Sequence, residues 1–302
     1  MKGQTQLRFH TLDVFTETVF GGNPLAVVLG GESLSTAQMQ TIAREFNLSE
    51  TVFVLPSTRK DCLHRVRIFT PARELPFAGH PTVGAACLLA GLRLAPQGEE
   101  AGFVLEENVG PVPVRVRRAG DRELYAELTT AKLPEYGPPA PDRAALARAL
   151  GLTAADLGAG DESPRSASCG MPFLLVPLRA PELLAAIDVD TVRLRALLDG
   201  YWAPEVYVYA RGYEGELRAR MFAPALGIAE DPATGGAAVA LAGALGLEAV
   251  QDGRHEWVIH QGVEMGRPSQ LYTSVDRVGG QITAVRVGGY AVTVSEGLLR
   301  IP

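Results

Sequence analysis

An internal repeat is the feature that most constrains the fold of this chain of 302 residues. Five short matches recur in the same order, with an offset of about 150 residues. They pair residues 22–28 with 170–176, 52–54 with 206–208, 67–71 with 220–224, 80–81 with 231–232, and 84–86 with 236–238. Each match is weak by itself, but a constant order and offset predict two copies of one α/β unit.

A proline-rich stretch separates the two predicted copies. Residues 134–141 contain Pro134, Pro138, Pro139 and Pro141, and prolines of this density are typical of loops. We interpret this stretch as a linker, which predicts domains at residues 1–135 and 136–302. An alternative is that the C-terminal strand returns to the first domain.

Local signals place the candidate residues on elements of secondary structure. Ser35 with Gln38 has the spacing of a capping box and predicts the start of a helix. Residues 51–55 then form a predicted strand, so Glu50 lies at a corner between helix and strand. An apolar helix is predicted from about Val83 to Leu89, with Gly91 at its C-cap.

Composition excludes several classes of function. The formal net charge is −6, so no nucleic-acid partner is expected. The most apolar stretch, residues 235–247, is shorter than the ~18–20 residues that span a bilayer and predicts a packed internal helix. Met1–Gln6 lacks the apolar run of a signal peptide. We therefore expect no membrane partner and a cytoplasmic location.

Cofactor and metal motifs are missing from the sequence. The three cysteines form no C-x-x-C pair, which favours reduced thiols, and the histidines have no metal-binding spacing. There is no G-x-G-x-x-G or P-loop run for a nucleotide. We expect no cofactor and no metal site.

Three polar residues distinguish the two copies. By the offsets above, His80 corresponds to Asp231, and Glu50 corresponds to Pro204. Two carboxylates and an imidazole are suited to general acid–base catalysis, so we predict Glu50, His80 and Asp231 as catalytic. Alternatives remain open: a solvated turn for Glu50, a backbone-bonded loop histidine for His80, and a helix N-cap for Asp231.

Two loop-to-helix transitions carry the predicted substrate contacts. The first turn of a helix presents unpaired N–H groups and a positive dipole end, which favour anions. If these transitions face one cleft between the copies, they would bind a small molecule that carries a carboxylate. The predicted substrate-binding residues are Gly79, Pro81, Thr82, Thr234, Gly235 and Gly236.

Several motifs together resemble the phenazine-biosynthesis PhzF-like family. They are residues 13–16, 22–27, 47–54, 67–71, 74–82, 230–235 and 261–269, and so extend over nearly the whole chain. The resemblance implies an α+β fold of two pseudo-symmetric diaminopimelate-epimerase-like domains, each a curled, mostly antiparallel sheet around a central helix. It further implies isomerisation without a cofactor, a site between the domains, and a homodimer.

The resemblance also assigns roles to individual residues. In the phenazine enzyme, the acid of the N-L-S-E motif shifts a proton on a dihydro-hydroxyanthranilate, and that acid corresponds to Glu50 here. His80 and Asp231 match the family's other polar site positions. The family pattern D-P-A-T-G-S ends in a serine, whereas this chain has Gly236, which puts the binding of substrate in question.

Two other functions remain as alternatives. The first is a non-catalytic protein that binds small anions on the same scaffold, for which Gly236 is the argument. The second is an epimerase or racemase that uses two cysteines at the helix starts. Neither Cys87 nor Cys169 lies at a predicted helix start, which disfavours the two-cysteine mechanism.

Overall fold

The chain folds into two compact units. The computed structural model describes residues 6–119, 124–158, 160 and 162–301, so most of the stretch used for the signal-peptide expectation, residues 1–5, lies outside the described residues. One unit comprises residues 1–131 with 288–302, and the other comprises residues 132–287.

Strands dominate both units. The first unit contains β1 Gln6–Val14, β2 Asn23–Leu29, α1 Thr36–Phe46, β3 Glu50–Pro56, β4 His64–Phe69, β5 Glu74–Leu75, α2 Gly79–Gly91, β6 Glu100–Glu107, β7 Gly110–Arg118 and β8 Leu124–Thr129. The second contains β9 Glu135–Pro139, α3 Arg143–Ala149, β10 Arg165–Ser168, β11 Pro172–Pro177, α4 Thr191–Leu197, β12 Glu205–Arg211, β13 Leu217–Ala223, β14 Ile228–Asp231, α5 Gly235–Glu248, β15 Gly253–Gln261 and β16 Ser269–Val278. The last strand, β17 Gln281–Arg300, begins in the second unit and ends in the first.

In the first unit, a sheet closes around a buried helix. β1 pairs antiparallel with β2 and with the end of β17, β2 is parallel to β3, and β4 is parallel to β6. β3 pairs antiparallel with β4, β6 with β7 and β7 with β8, and β8 returns to β17. Helix α2 contacts β1, β2, β3, β7 and β8, and every residue from 79 to 90 is buried. A Cβ on Gly84 would lie 2.6 Å from Leu25, so the absence of a side chain lets α2 approach the sheet.

The second unit repeats this order of pairings. β9, β10 and β11 are antiparallel neighbours, β11 is parallel to β12, and β13 is parallel to β15. Helix α5 contacts β9, β10, β11, β15 and β16, and residues 237–246 are all buried, which confirms the predicted internal helix. The fold is therefore α+β, with two pseudo-symmetric units that each wrap a mostly antiparallel sheet around a central helix.

The strand registers correct one correspondence between the copies. Glu50 pairs with Leu25 across β2 and β3, and Glu205 pairs with Phe173 across β11 and β12. The counterpart of Glu50 is therefore Glu205, which is buried, and the expected counterpart Pro204 is wrong by one residue. A slip of one residue matters because it moves every side chain of a strand to the opposite face.

The helix starts correct a second correspondence. Helices α2 and α5 begin at Gly79 and Gly235, so His80 corresponds to Gly236 and not to Asp231. For the same reason, the match of residues 84–86 with 236–238 is out of register.

Two ion pairs support this new alignment. Arg67 contacts Glu74 at 2.7 Å in the first unit, and Arg220 contacts Glu230 at 2.8 Å in the second. The first pair joins β4 to β5, and the second joins β13 to β14. In both units the second of these strands is short and leads into the central helix. Glu230, the residue before Asp231, thus corresponds to Glu74.

Several boundaries differ from the expected ones. Helix α2 begins at Gly79, not near Val83, because Pro81 lies in its first turn, where a proline is tolerated. Gly91 is the last helical residue and Leu92 is the C-cap. The capping box is confirmed, since Ser35 accepts from the Gln38 N–H and Gln38 accepts from the Ser35 N–H.

The expected linker is in part a strand. Residues 135–139 form β9, which pairs with β10, and a Cβ on Gly243 would lie 2.7 Å from Pro134. The second unit therefore includes this stretch from Lys132 onward, whereas the expected boundary was 135/136. The end of β17, from Gly288, belongs to the first unit.

The described part of the chain offers neither a membrane-spanning helix nor a cluster of metal ligands. No helix there has both the length and the apolar character needed to cross a membrane. Over the same residues, no group of three or more His, Cys, Asp and Glu side chains is arranged to hold a metal ion.

Candidate active site

A carboxyl group and an imidazole meet at the start of α2. Glu50 is the first residue of β3, and His80 lies in the first turn of the helix. His80 Nε2 is 3.1 Å from Glu50 Oε2, and the two side chains are 5% and 12% exposed. The fold thus brings together two of the three residues that were predicted as catalytic.

His80 is neutral at physiological pH. Burial lowers the pKa of His80 to about 3, because the surrounding protein disfavours the charged ring. The 3.1 Å contact is therefore one between a carboxyl group and a neutral imidazole, and it is not a hydrogen bond.

The first turn of α2 is held by a second carboxyl group. Ala78 is the N-cap and provides no side-chain cap. Thr82 Oγ1 lies 2.7 Å from Ala78 O and 2.5 Å from Oε1 of Glu107, which is the last residue of β6. Both Thr82 and Glu107 are buried, so this contact lies inside the first unit.

In the second unit, an amide organises the start of α5. Gln261 Nε2 donates to the backbone oxygen of Asp231 at 2.8 Å and to Thr234 Oγ1 at 3.1 Å. Gln261 Oε1 accepts from the Thr234 N–H at 3.1 Å and from the Tyr207 hydroxyl at 3.0 Å. Thr234 Oγ1 in turn donates to the Asp231 carboxylate.

Tyr207 is a neutral donor in this network. Burial, with the charge of Asp231 as a smaller cause, raises the pKa of Tyr207 above its usual range. The phenol therefore keeps its proton and donates it to Gln261. Asp231 is a buried residue, 7% exposed, and the hydroxyl of Thr234 donates a hydrogen bond to its carboxylate.

Gly236 occupies the position in α5 that His80 occupies in α2. A Cβ on Gly236 would lie 3.4 Å from two ring carbons of Phe173, which is an ordinary contact distance. The backbone would therefore accept a small side chain here, and its absence leaves the start of α5 without a hydroxyl or an imidazole at this position.

The structure groups the predicted site residues by unit. Gly79, Pro81 and Thr82 lie with His80 in the first turn of α2, while Gly235 and Gly236 follow Asp231 and Thr234 at the start of α5. Sequence reasoning missed four buried polar residues: Glu107, Glu205, Tyr207 and Gln261. A correct register between the copies would have shown that Glu50 has a counterpart and that Glu107 and Gln261 are equivalent.

The cysteines of the central helix regions are buried thiols. Cys87 Sγ lies 3.3 Å from Leu124 O, and Cys169 Sγ lies 3.3 Å from Val239 O. Burial raises the pKa of each thiol to about 12. Cys87 lies in the middle of α2 and Cys169 follows β10, so neither is at a helix start.

Comparison with known proteins identifies the class of enzyme. A protein named as an uncharacterized isomerase of Mesorhizobium japonicum is 44% identical over 296 residues, covering 96% of this chain and 97% of its own. The trans-2,3-dihydro-3-hydroxyanthranilate isomerase of Pseudomonas aeruginosa is 35% identical over 302 residues, covering 96% of this chain and 98% of its own. The protein is therefore an enzyme of the isomerase class.

The family follows from the same comparisons. The phenazine biosynthesis-like protein family, PhzC-PhzF, matches residues 12–297, and the chain belongs to this family. Among solved structures, the PhzF-family phenazine biosynthesis protein of Bacillus anthracis superposes with a TM-score of 0.87 at 25% identity. That superposition covers 98% of this chain and 100% of the other.

Proposed function

We propose that the protein isomerises a small, carboxylate-bearing substrate without a cofactor, and that Glu50 is the general acid and base. The contact of 3.1 Å between Glu50 and His80 at the start of α2 carries this proposal. A carboxyl group near a neutral imidazole can accept a proton and give it back within one catalytic cycle.

The proposed reaction moves one proton and leaves the oxidation state of the substrate unchanged. Ionised Glu50 removes a proton from a carbon next to a conjugated or carboxyl group, and the electron pair of that C–H bond shifts into the neighbouring π system. Protonated Glu50 then returns the proton to another carbon. His80 stays neutral throughout and positions the Glu50 carboxyl group, whose Oε2 lies 3.1 Å from His80 Nε2.

Each of the two helix starts is a candidate for binding a carboxylate. The first N–H groups of a helix have no partner within that helix and point toward an anion. At α2 these are the N–H groups of Gly79 and His80, and at α5 those of Gly235 and Gly236. We assign Asp231 a polar contact to the substrate, supported by its fixed position next to Thr234.

A non-catalytic anion-binding protein is the second candidate. Gly236 favours it, because the start of α5 lacks the serine hydroxyl implied by the family pattern. The helix N–H groups would still bind a carboxylate, so affinity alone does not distinguish the two functions. Turnover does.

The proposal is tested with the Glu50→Gln variant. The first compound to try is trans-2,3-dihydro-3-hydroxyanthranilate, which is named for the relative from P. aeruginosa, followed by related unsaturated carboxylates. We expect the variant to lose about 10²–10⁴-fold in kcat, because an amide cannot accept the proton. Binding, measured as a thermal shift, should persist.

A matched control is available close by. Glu45 is exposed on α1, so Glu45→Gln makes the same chemical change outside the site and should leave kcat unchanged. If Glu50→Gln turns over substrate at the wild-type rate, Glu50 is not the acid–base group.

The proposal extends to location and assembly. Three free, buried cysteines fit a reducing compartment such as the cytoplasm. We also propose the homodimer that the family resemblance implies, which light scattering of the purified protein will test by giving twice the chain mass of 32.1 kDa.

A further inference from the structure

Glu107 is a buried carboxyl group that the proposed reaction does not use. It ends β6, and its residue is 4% exposed. Its Oε1 lies 2.5 Å from Thr82 Oγ1, which lies 2.7 Å from Ala78 O at the N-cap of α2. These three groups form a chain from β6 to the turn that carries His80.

The hydrogens in this chain can be counted. A carbonyl oxygen has no proton to donate, so the contact between Thr82 and Ala78 O needs the single hydroxyl proton of Thr82. The contact between Thr82 and Glu107 then needs a second proton, and only the carboxyl group can supply it. The geometry is therefore satisfied when Glu107 is a neutral acid whose O–H donates to Thr82.

The surroundings of Glu107 also disfavour a negative charge. Its Oε2 is buried and has no hydrogen-bond partner among the described protein atoms. Burial raises the pKa of Glu107 to about 8, and the hydrogen bond with Thr82 offsets only part of this effect. An ionised carboxylate with one bare oxygen would be costly here.

Neighbouring charges do not compensate for a negative Glu107. The titratable and cationic groups on the elements around it are His80 and Cys87 on α2, His64, Arg65 and Arg67 on β4, and Arg115, Arg117 and Arg118 on β7. Arg67 binds Glu74, Arg65 approaches Glu106, and the three arginines of β7 are exposed. Over the described residues, none of these side chains forms an ion pair with Glu107.

The second unit has a neutral amide at the equivalent position. Arg65 pairs with Glu106 across β4 and β6, and Arg218 pairs with His260 across β13 and β15, so Glu107 corresponds to Gln261. Gln261 makes three hydrogen bonds to Asp231 and Thr234 at the start of α5 and accepts a fourth from Tyr207 on β12. A protonated carboxyl group, like an amide, offers one donor side and one acceptor side.

We propose that Glu107 is a positioning residue, kept as a neutral carboxylic acid, that donates to Thr82 and so fixes the first turn of α2 and the ring of His80. The protonation of Glu107 stands on the hydrogen-bond geometry alone. Its effect on catalysis rests on the proposed function of Glu50 and His80.

The test compares Glu107→Gln with Glu107→Ala. The amide of the glutamine variant can donate to Thr82, so kcat should stay within about threefold of wild type. The alanine variant should lose up to about 100-fold in kcat with little change in KM, as expected when a reacting group is displaced by about 1 Å.

The wild-type kcat should fall as pH rises through about 8, where Glu107 ionises, whereas Glu107→Gln should remain active.

The adjacent Glu106 provides the matched control. It accepts hydrogen bonds from Ser57 and Thr58, and these lower its pKa to about 2, so it is already ionised at neutral pH. Glu106→Gln should therefore keep the alkaline fall in kcat. An alkaline fall that persists in Glu107→Gln would overturn the positioning role.

Infrared spectroscopy tests the protonation without any substrate. At pH 7, wild type should show the band of a buried protonated carboxyl group, and Glu107→Gln should lack it. An ionised Glu107 at pH 7 overturns the inference even if Glu50 proves essential. A protonated Glu107 together with an active Glu50→Gln enzyme would refute the proposed function and leave the state of Glu107 established.

Discussion

The neutral state of His80 predicts that the protein loses stability in mild acid. Burial lowers the pKa of His80 from 6.5 to about 3 in the folded protein. Between these values the unfolded chain binds a proton that the folded protein does not bind. The free energy of unfolding therefore falls as pH drops below about 6.5, and it stops falling near pH 3.

The size of this effect follows from the pKa difference. Each pH unit inside the window changes the free energy of unfolding by about 1.4 kcal/mol. A change from pH 7 to pH 5 crosses about 1.5 pH units of this window. The free energy of unfolding should therefore fall by about 2 kcal/mol because of His80. The whole window, down to pH 3, corresponds to about 5 kcal/mol.

Urea unfolding at pH 7 and pH 5 measures this effect. His80→Asn removes the titrating ring, so the difference in unfolding free energy between the two pH values should be about 2 kcal/mol smaller in the variant than in wild type. His255 lies on β15, where its Nε2 is 2.9 Å from Gln251 O, and His255→Asn should keep the wild-type difference. A protonated His80 paired with an ionised Glu50 would instead raise the pKa of His80. In that case the variant would lose stability relative to wild type at pH 5, which would refute the neutral imidazole.

Two further predictions concern the second unit and the cysteines. Gln261→Leu leaves Thr234 and Tyr207 without their buried partner, so it should lower the free energy of unfolding by about 1–3 kcal/mol for each unsatisfied group, whereas Gln261→Glu, measured at low pH, should restore part of it. Iodoacetamide at pH 8 should not inactivate the folded enzyme, because Cys87 and Cys169 are buried and their pKa values are about 12. Rapid inactivation with labelling of either cysteine would instead support a two-cysteine mechanism.

Local elements of the fold could be predicted because their signals lie within a few residues of sequence. The Ser35 capping box is one example, and Asp142 and Asp190 carry the same kind of local signal, an aspartate directly before a helix. Each aspartate accepts from the backbone N–H three residues ahead, at 2.8 and 2.9 Å, and starts the helix that follows it. The internal helix at residues 235–247 was predictable from its length and composition.

The register between the two copies could not be predicted in the same way. Short insertions change the offset along the chain, and pattern matching cannot locate them. It therefore assigned Pro204 to Glu50 and Asp231 to His80, whereas strand pairing and helix starts give Glu205 and Gly236. The offset from the matches was wrong by one residue at β12, where Glu205 and not Pro204 corresponds to Glu50. It was wrong by five residues at α5, where Gly236 and not Asp231 corresponds to His80.

The polar residues beneath the helix starts were missed for a different reason. Glu107 follows Glu106 in sequence, and adjacent residues of a strand face opposite sides. Only the pairing of β6 shows that Glu106 binds Ser57 while Glu107 turns toward Thr82. A sequence pattern gives no sign of which of two neighbouring glutamates is buried.

A reaction in D₂O tests whether Glu50 moves a proton on the carbon of a substrate. The protein is incubated in D₂O with a substrate found by turnover or by thermal shift, and the ligand is then analysed by mass spectrometry and NMR. Wild type and Glu45→Gln should convert the ligand to an isomer, with deuterium on carbon wherever the proton on Glu50 exchanges with D₂O before it is returned. Glu50→Gln should give neither the isomer nor deuterium on carbon. Binding with neither isomerisation nor deuterium in the ligand would favour the anion-binding protein, and undiminished conversion by Glu50→Gln would contradict Glu50 as the group that moves the proton.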